Sequence, residues 1–302
     1  MWSGCVVDLL TSFGLSSADL LGRGSESQVY ALDAERVLRC YHPGPLSAYH
    51  MRRQQFYQQL ATCMPPFAIP MILDQAVYAG IPYSIERRMR GGDFAQRLAQ
   101  LRGSARERAL RSYLAVAGQI GQIAWPGEPF VGYGEIIAAD QPIRSSTWVG
   151  YLWQRIQHNT QHSRNDLYAD GLDLDQLLEA LGQRFIALAD PPRALVHGDY
   201  FPGNVFINSD DLVYGVGDFG YSTLVGDARM DLAGALAFIE LVPGYHPNDT
   251  SFLQQLLVEQ YGPALLTILE HYRYYYALYF SGCRADDPNT YAWCVQCLRG
   301  MC

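Results

Sequence analysis

Two short stretches constrain this chain more than anything else in it: His197-Gly198-Asp199-Tyr200-Phe201-Pro202-Gly203-Asn204 and Gly217-Asp218-Phe219-Gly220. A strand–turn–strand pattern lies between them. Val205-Phe206-Ile207 is an apolar run, Asn208 to Asp211 is a polar turn, and Leu212 to Val216 is a second run rich in β-forming residues. Such a hairpin carries Asn204 at one end and Asp218 at the other. Both oxygen-bearing side chains therefore reach one edge, with Asp199 five residues ahead of the asparagine. Asp, Asn, Pro and Gly also favour turns for their own sake, and either stretch alone would say little. In this order, with a hairpin between them, they point to a loop that sets a carboxylate beside two oxygen ligands for a hard cation.

The layout is that of a kinase catalytic loop followed by its metal-binding Asp. Gly226-Asp227-Ala228-Arg229-Met230-Asp231-Leu232-Ala233 comes next, and the segment from 194 to 240 resembles the aminoglycoside phosphotransferase and choline kinase superfamily. These are small-molecule kinases with a protein-kinase-like fold. HGD in place of the protein-kinase HRD, and the GD…DLA segment, carry the resemblance. Thr147 to Leu152 is similar to a helical insert common in that family. The resemblance implies an α+β, two-lobed fold: a small β-rich nucleotide-binding lobe over 1–90, a larger helical lobe over 91–302, and ATP with Mg2+ between them. It implies Asp199 as catalytic base or acceptor-orienting residue, and Asn204 and Asp218 as magnesium ligands. His197 would brace the loop and Asp231 would cap or anchor the helix from Leu232, both in structural roles.

In the first ninety residues, Leu21-Gly22-Arg23-Gly24-Ser25-Glu26-Ser27-Gln28-Val29 keeps two glycines and the valine of a Gly-rich phosphate loop, with Ser27 at the third glycine's place. Gly22 and Gly24 let backbone approach a phosphate, and Ser25 and Ser27 add hydroxyls; an ordinary hairpin turn is the alternative. All 22 Lys/Arg positions of the chain are Arg. Arg39, in Val37-Leu38-Arg39-Cys40, therefore takes the place where kinases carry a phosphate-holding Lys, with a different hydrogen-bonding geometry. Kinases pair that Lys with a helix Glu. The helix expected over 48–61 has no acid, and Gln54 or Gln58 is the expected partner of Arg39. Ile85, Glu86 and Arg87 resemble the hinge whose backbone meets adenine, and Gly91-Gly92 marks the lobe boundary. Residues 1–19 read as an amphipathic packing helix broken at Gly14.

Further on, helices are expected over 95–123 (two), 148–161, 174–189, Asp231 to Leu241, 250–260 and 263–282. The tyrosine cluster 272–276 reads as core. His158 and His162 read as a solvated face, and Cys294-x-x-Cys297 as reduced thiols on a helix rather than a zinc site.

The net charge of −8 sits mainly in the second part. Residues 91–302 hold fourteen Arg and twenty-three acids, against eight and seven in 1–90. That balance argues against nucleic acid as a partner and would draw a cationic acceptor, although acidic surface also serves solubility. Asp227, Glu240 and Glu270 are the candidate contacts to such an acceptor. With no basic, apolar leader and no apolar run of about 18 residues, the expectation is a cytoplasmic protein without membrane partners. The expected reaction is transfer of the ATP γ-phosphate to a hydroxyl of a small molecule, with an aminoglycoside-like antibiotic ahead of choline, homoserine or a sugar. A non-catalytic nucleotide-binding module is the competing class, because the strand Lys and helix acid are missing.

Overall fold

The computed structural model describes residues 5–24, 27–126, 130–138 and 141–301, without the side chain of Cys5. Alternating residues of the first ninety positions build an antiparallel sheet from β1 (Leu20–Arg23), β2 (Ser27–Ala31), β3 (Arg36–Tyr41), β4 (Ile72–Tyr78) and β5 (Ile81–Arg87), in the order β1-β2-β3-β5-β4. Pleating gives this sheet two unlike faces. On one, Tyr30, Leu38, Cys40 and Ile81 are buried against Val6, Leu9 and Leu10 of α1 (Cys5–Ser12), and Tyr83 and Ile85 pack on the same cluster. On the other, Val29, Arg39 and Ser84 lie side by side across β2, β3 and β5, toward α2 (Ala48–Thr62). The N-terminal helix is shorter than its sequence suggests. It ends at Ser12, Gly14 takes φ 70°, and a 3-10 turn capped by Ser16 leads into β1.

Past β5 the chain is mainly helical. In order come β6 (Gly92–Asp93), α3 (Phe94–Gln100), α4 (Gly103–Ile120), β7 (Tyr133–Glu135), β8 (Arg144–Ser145), α5 (Trp148–Asn159), α6 (Arg164–Ala169) and α7 (Leu174–Phe185). The segment singled out by sequence forms β9 (Ala194–Val196), β10 (Val205–Ile207), β11 (Val213–Val216) and β12 (Leu224–Gly226). After it come α8 (Arg229–Phe238), α9 (Pro247–Tyr261), α10 (Ala264–Tyr279) and α11 (Pro288–Arg299). The hairpin is present as expected: β10 pairs with β11, Val205 opposite Val216, and its other edge pairs with β6. β9 and β12 join β7 and β8 in a separate small sheet.

The main core gathers α4, α5, α8 and α10, where Tyr113, Trp148, Tyr272, Tyr275 and Tyr276 are fully buried. The tyrosines of α10 thus fill core rather than line a site. Two of their tips find internal partners: Trp148 Nε1 donates to Tyr272 Oη at 2.8 Å, and Tyr276 Oη donates to the Met230 carbonyl at 3.2 Å. Cys294 and Cys297 are buried free thiols on α11. Among the described residues no helix is long and apolar enough to cross a membrane.

The crossing from the sheet to the helical region turns on Gly91. Its φ of 89° disfavours any side chain, and a β-carbon there would collide with the Ile207 carbonyl of the hairpin. Gly80 also has positive φ (79°), but a β-carbon there meets nothing within 4 Å. Gly91→Ala is therefore expected to cost about 2 kcal/mol or more and Gly80→Ala about 1 kcal/mol. Urea unfolding of the two variants checks the order; equal losses would show that the crossing tolerates a side chain.

Candidate active site

A cleft of about 600 Å³ opens between the sheet and the helical region. Its roof carries Gly22, Gly24, Ser27 and Arg39; its floor carries Asp199, Asn204 and Asp218. Ser25 lies outside the described residues.

The floor is held from beneath by two buried side chains. Asp231, in the first turn of α8, accepts the backbone amides of His197 at 2.8 Å and Gly198 at 3.0 Å. It therefore holds the catalytic-loop backbone, whereas the expectation from sequence is that it caps or anchors the helix. Burial pushes its carboxyl up to about 7 against the pull of those two amides. His197 Nδ1 accepts the Asp199 amide at 3.2 Å, so Nε2 carries the proton and donates to the Gly217 carbonyl at 2.8 Å. One ring thus sets the spacing between the Asp199 loop and the residue before Asp218. Gly198 has φ 76°, and a β-carbon there would strike the Ser222 carbonyl. Tyr113 and Tyr200 exchange hydroxyl-to-carbonyl hydrogen bonds, both at 2.9 Å, and pin the following residue.

The hairpin then delivers the two oxygen ligands. Asn204 Nδ2 donates to the Asp199 carbonyl at 3.0 Å, which leaves its Oδ1 available to a cation, and its own carbonyl accepts the Gly217 amide at 2.8 Å. Asp218 adopts a left-handed φ of 57° and keeps about half its side chain exposed. That turn drives Phe219 into the core, where its ring sits 4.4 Å from His197 and its amide donates to Tyr57 Oη at 3.1 Å. An amide oxygen and a carboxylate on one cleft floor are the hard donors that Mg2+ prefers.

The roof departs from expectation. Arg39 Nε donates to Glu86 at 3.2 Å, its NH1 donates to Ser27 Oγ at 2.9 Å, and NH1 lies 3.6 Å from Asp218. The glutamine partner is not found. Gln54 accepts from Gln75 at 2.6 Å, and Gln58 is exposed. The acid comes from β5 instead. The same Glu86 oxygen also accepts Arg53 NH1 of α2 at 2.7 Å and Ser84 Oγ at 2.8 Å. Burial alone would raise the Glu86 carboxyl, but Arg39 and Arg53 outweigh it and hold it down to about 2.

The expected hinge trio thus divides. Ile85 faces α1 on the far side of the sheet, the Glu86 side chain is a buried anchor, and Arg87 lines the cleft. Ser27 is likewise buried and accepts from Arg39. Tyr49 of α2 and Tyr221 stack at 3.9 Å across the cleft wall, a contact the sequence did not disclose.

The three acids nominated for a cationic acceptor do not line the cleft. Asp227 is buried and held by both an Arg229 fork and Tyr272. Glu240 pairs with Arg273 at 2.6 Å and accepts Trp293 Nε1 at 3.0 Å. Glu270 is exposed on a separate groove beside α8 and α10, with Tyr274 Oη at 3.3 Å. Asp227 and Glu240 are thus satisfied by neighbours, and Glu270 meets solvent away from the floor.

This chain matches the model of the phosphotransferase enzyme family, APH, over residues 18–269. It belongs to the phosphotransferase enzyme family. No curated protein matches it by sequence. Among solved structures, the GDP and kanamycin complex of APH(2")-IIia is similar at 17% identity, covering 94% of this chain and 92% of that one, with a TM-score of 0.63. APH(3'')-Id from Streptomyces rimosus ATCC10970, with ADP and streptomycin, gives 17%, 98%, 97% and 0.57 on the same measures. A putative fructosamine-3-kinase from Haemophilus somnus 129PT gives 15%, 100%, 97% and 0.60. At these identities the likeness establishes the two-lobed kinase-like fold of the phosphotransferase family, with its β-sheet N-terminal region and helical C-terminal region.

Within this phosphotransferase fold His197 is a stability determinant with a pH signature. Burial pushes its imidazole down to about 4 from 6.5. The folded chain binds that proton more weakly than the unfolded chain. The group therefore contributes stability that is present above pH 6.5 and lost as pH falls toward 4. The cost of His197→Gln should be larger at pH 7 than at pH 4 by about 3 kcal/mol. Taking the difference between the two proteins cancels the opposing slope of Asp231. Equal costs by urea unfolding at both pH values would rule out a neutral, buried imidazole.

Proposed function

We propose that this protein transfers the γ-phosphate of ATP to a hydroxyl of a small molecule, with the nucleotide lodged between a lobe of residues 1–90 and a lobe of residues 91–302. The observation that carries this reading is the meeting of Asp199, Asn204 and Asp218 on one floor, opposite Arg39 and the Gly22–Gly24 loop. Asp199 orients the acceptor hydroxyl and takes its proton as the oxygen attacks the γ-phosphorus; the bond to the β–γ bridging oxygen breaks and ADP leaves. Asn204 Oδ1 and the Asp218 carboxylate would hold Mg2+, which when bound neutralises charge on the phosphates. Arg39 contacts phosphate, and Gly22 and Gly24 admit close backbone approach. The retained base and both oxygen ligands favour an enzyme over a non-catalytic module.

An aminoglycoside-like antibiotic is the first acceptor to try, which would make the protein a resistance factor. Support comes from the family, from neighbours solved with kanamycin and streptomycin, and from the net charge of −8. The internal pairing of Asp227 and Glu240 weakens the specific contacts first nominated for a cation, so hydroxylated acceptors such as an aminated sugar, choline or homoserine belong in the same panel.

The test is ATP turnover across that panel, for wild type and Asp199→Ala. Turnover with at least one acceptor is expected. It should fall roughly 10²- to 10⁴-fold in Asp199→Ala, while ATP still binds. Binding without turnover on every acceptor would return the reading to a nucleotide-binding module.

A further inference from the structure

Two guanidinium groups share one carboxylate at the roof of the cleft. Glu86 is 1% exposed and Arg53 1% exposed, and Arg39 is largely covered. Arg53 NH1 divides between Glu86 at 2.7 Å and Tyr41 Oη at 2.9 Å, and the guanidinium carbon lies 5.1 Å from the Tyr57 ring centre. Arg53 NH2 is buried and meets no hydrogen-bond acceptor among the described residues. Both arginines line the cleft. The cluster therefore carries two positive charges and one negative charge out of water, and a buried charge of that kind demands a counterion. The nearest further acid is Asp218, 3.6 Å from Arg39, and it lies on the floor among the oxygen ligands.

The usual kinase roof is a neutral pair, a strand Lys held by a helix Glu. Here the polarity is reversed. The acid stands on β5, in the same sheet as Arg39, with Val37 opposite Glu86 and Arg39 opposite Ser84 in the β3–β5 register. The helix supplies a cation in place of an acid. Holding Arg39 in position is then the work of the sheet, and α2 has a different task.

We propose that Arg53 is a positioning residue that neutralises Glu86 and so leaves Arg39 as a net cation for the nucleotide's phosphates. This rests on the nucleotide-binding reading given above. Without Arg53, Glu86 and Arg39 form a closed neutral pair, and the roof loses its attraction for phosphate. Helix α2 thereby contributes to nucleotide affinity through the charge of Arg53.

The experiment measures ATP binding to the full-length chain by calorimetry, with KM and kcat where an acceptor is known. Arg53→Met should weaken ATP binding roughly ten- to a hundred-fold, the range of one charge-assisted hydrogen bond. The loss should fall on Kd and KM more than on kcat. The double variant Arg53→Met with Glu86→Gln leaves Arg39 unpaired by acid and should recover ATP binding to within roughly three-fold of wild type, a coupling that independent structural losses would not give. Arg53→Lys, which keeps the charge, should also bind within that range. Should Arg53→Met fail to fold, these two variants decide the matter, since replacing both members of a buried pair is better tolerated than removing one. ATP binding unchanged in Arg53→Met, or a folded double variant that binds no better than the single one, overturns the proposal. Wild type that binds no ATP at all overturns the functional reading itself, before any variant is compared.

Discussion

Taking a carboxylate out of water is costly unless charges and hydrogen bonds meet it, and two cations and a hydroxyl meet Glu86. Arg39, Arg53 and Ser84 all donate to one of its oxygens. Those donors come from β3, α2 and β5, so one buried group ties the middle of the sheet to the helix that packs on it. The orientation of Arg39 follows from that tie, and with it the direction in which the roof offers its charge. Remove the carboxylate and Arg53 loses its buried counterion, while Arg39 keeps only Asp218, at 3.6 Å, as a counterion. The depressed pKa of Glu86, about 2, expresses how strongly the ionised form is held.

The floor repeats the same physics with other chemistry. Asp231 and His197 lie wholly inside, and neither reaches the cleft surface. Between them they fix four backbone groups: the amides of residues 197, 198 and 199, and the carbonyl of Gly217. The side chains on the floor thus stand on backbone whose position is over-determined, which is what a site needs if its groups are to be in place before the ligand arrives. His197 bonds two residues on the cleft and Asp231 bonds the backbone beneath them, and the role of both is mechanical.

Much of this was legible in the sequence because it is local. The hairpin between Asn204 and Asp218 follows from residue type and spacing, and it brings the floor together without knowledge of any distant contact. The partner of Arg39 was not legible, for a physical reason. Glu86 lies 47 residues away, and only the register that sets Arg39 beside Ser84 reveals which face of β5 it occupies. A search confined to the next helix was bound to stop at Gln54 and Gln58. The side chain of Ile85 turns to the opposite face from that of Glu86, since neighbours on a strand alternate, and this leaves the expectation for its backbone as it stood. The acidic helices misled in another way. Composition counts carboxylates, but Asp227, Asp249 and Glu240 are engaged by Arg229, Arg106 and Arg273, and no periodicity announces that.

The exclusive use of arginine in the roof has a further consequence. A lysine there could lose its proton in alkaline solution or when desolvated, and could be silenced by acylation of its amine. A guanidinium does neither within any pH at which the protein remains folded. The positive charge of the roof is therefore a permanent fixture. Should the reaction proposed above show an acid or alkaline limit, the two guanidinium groups of the roof are not its source.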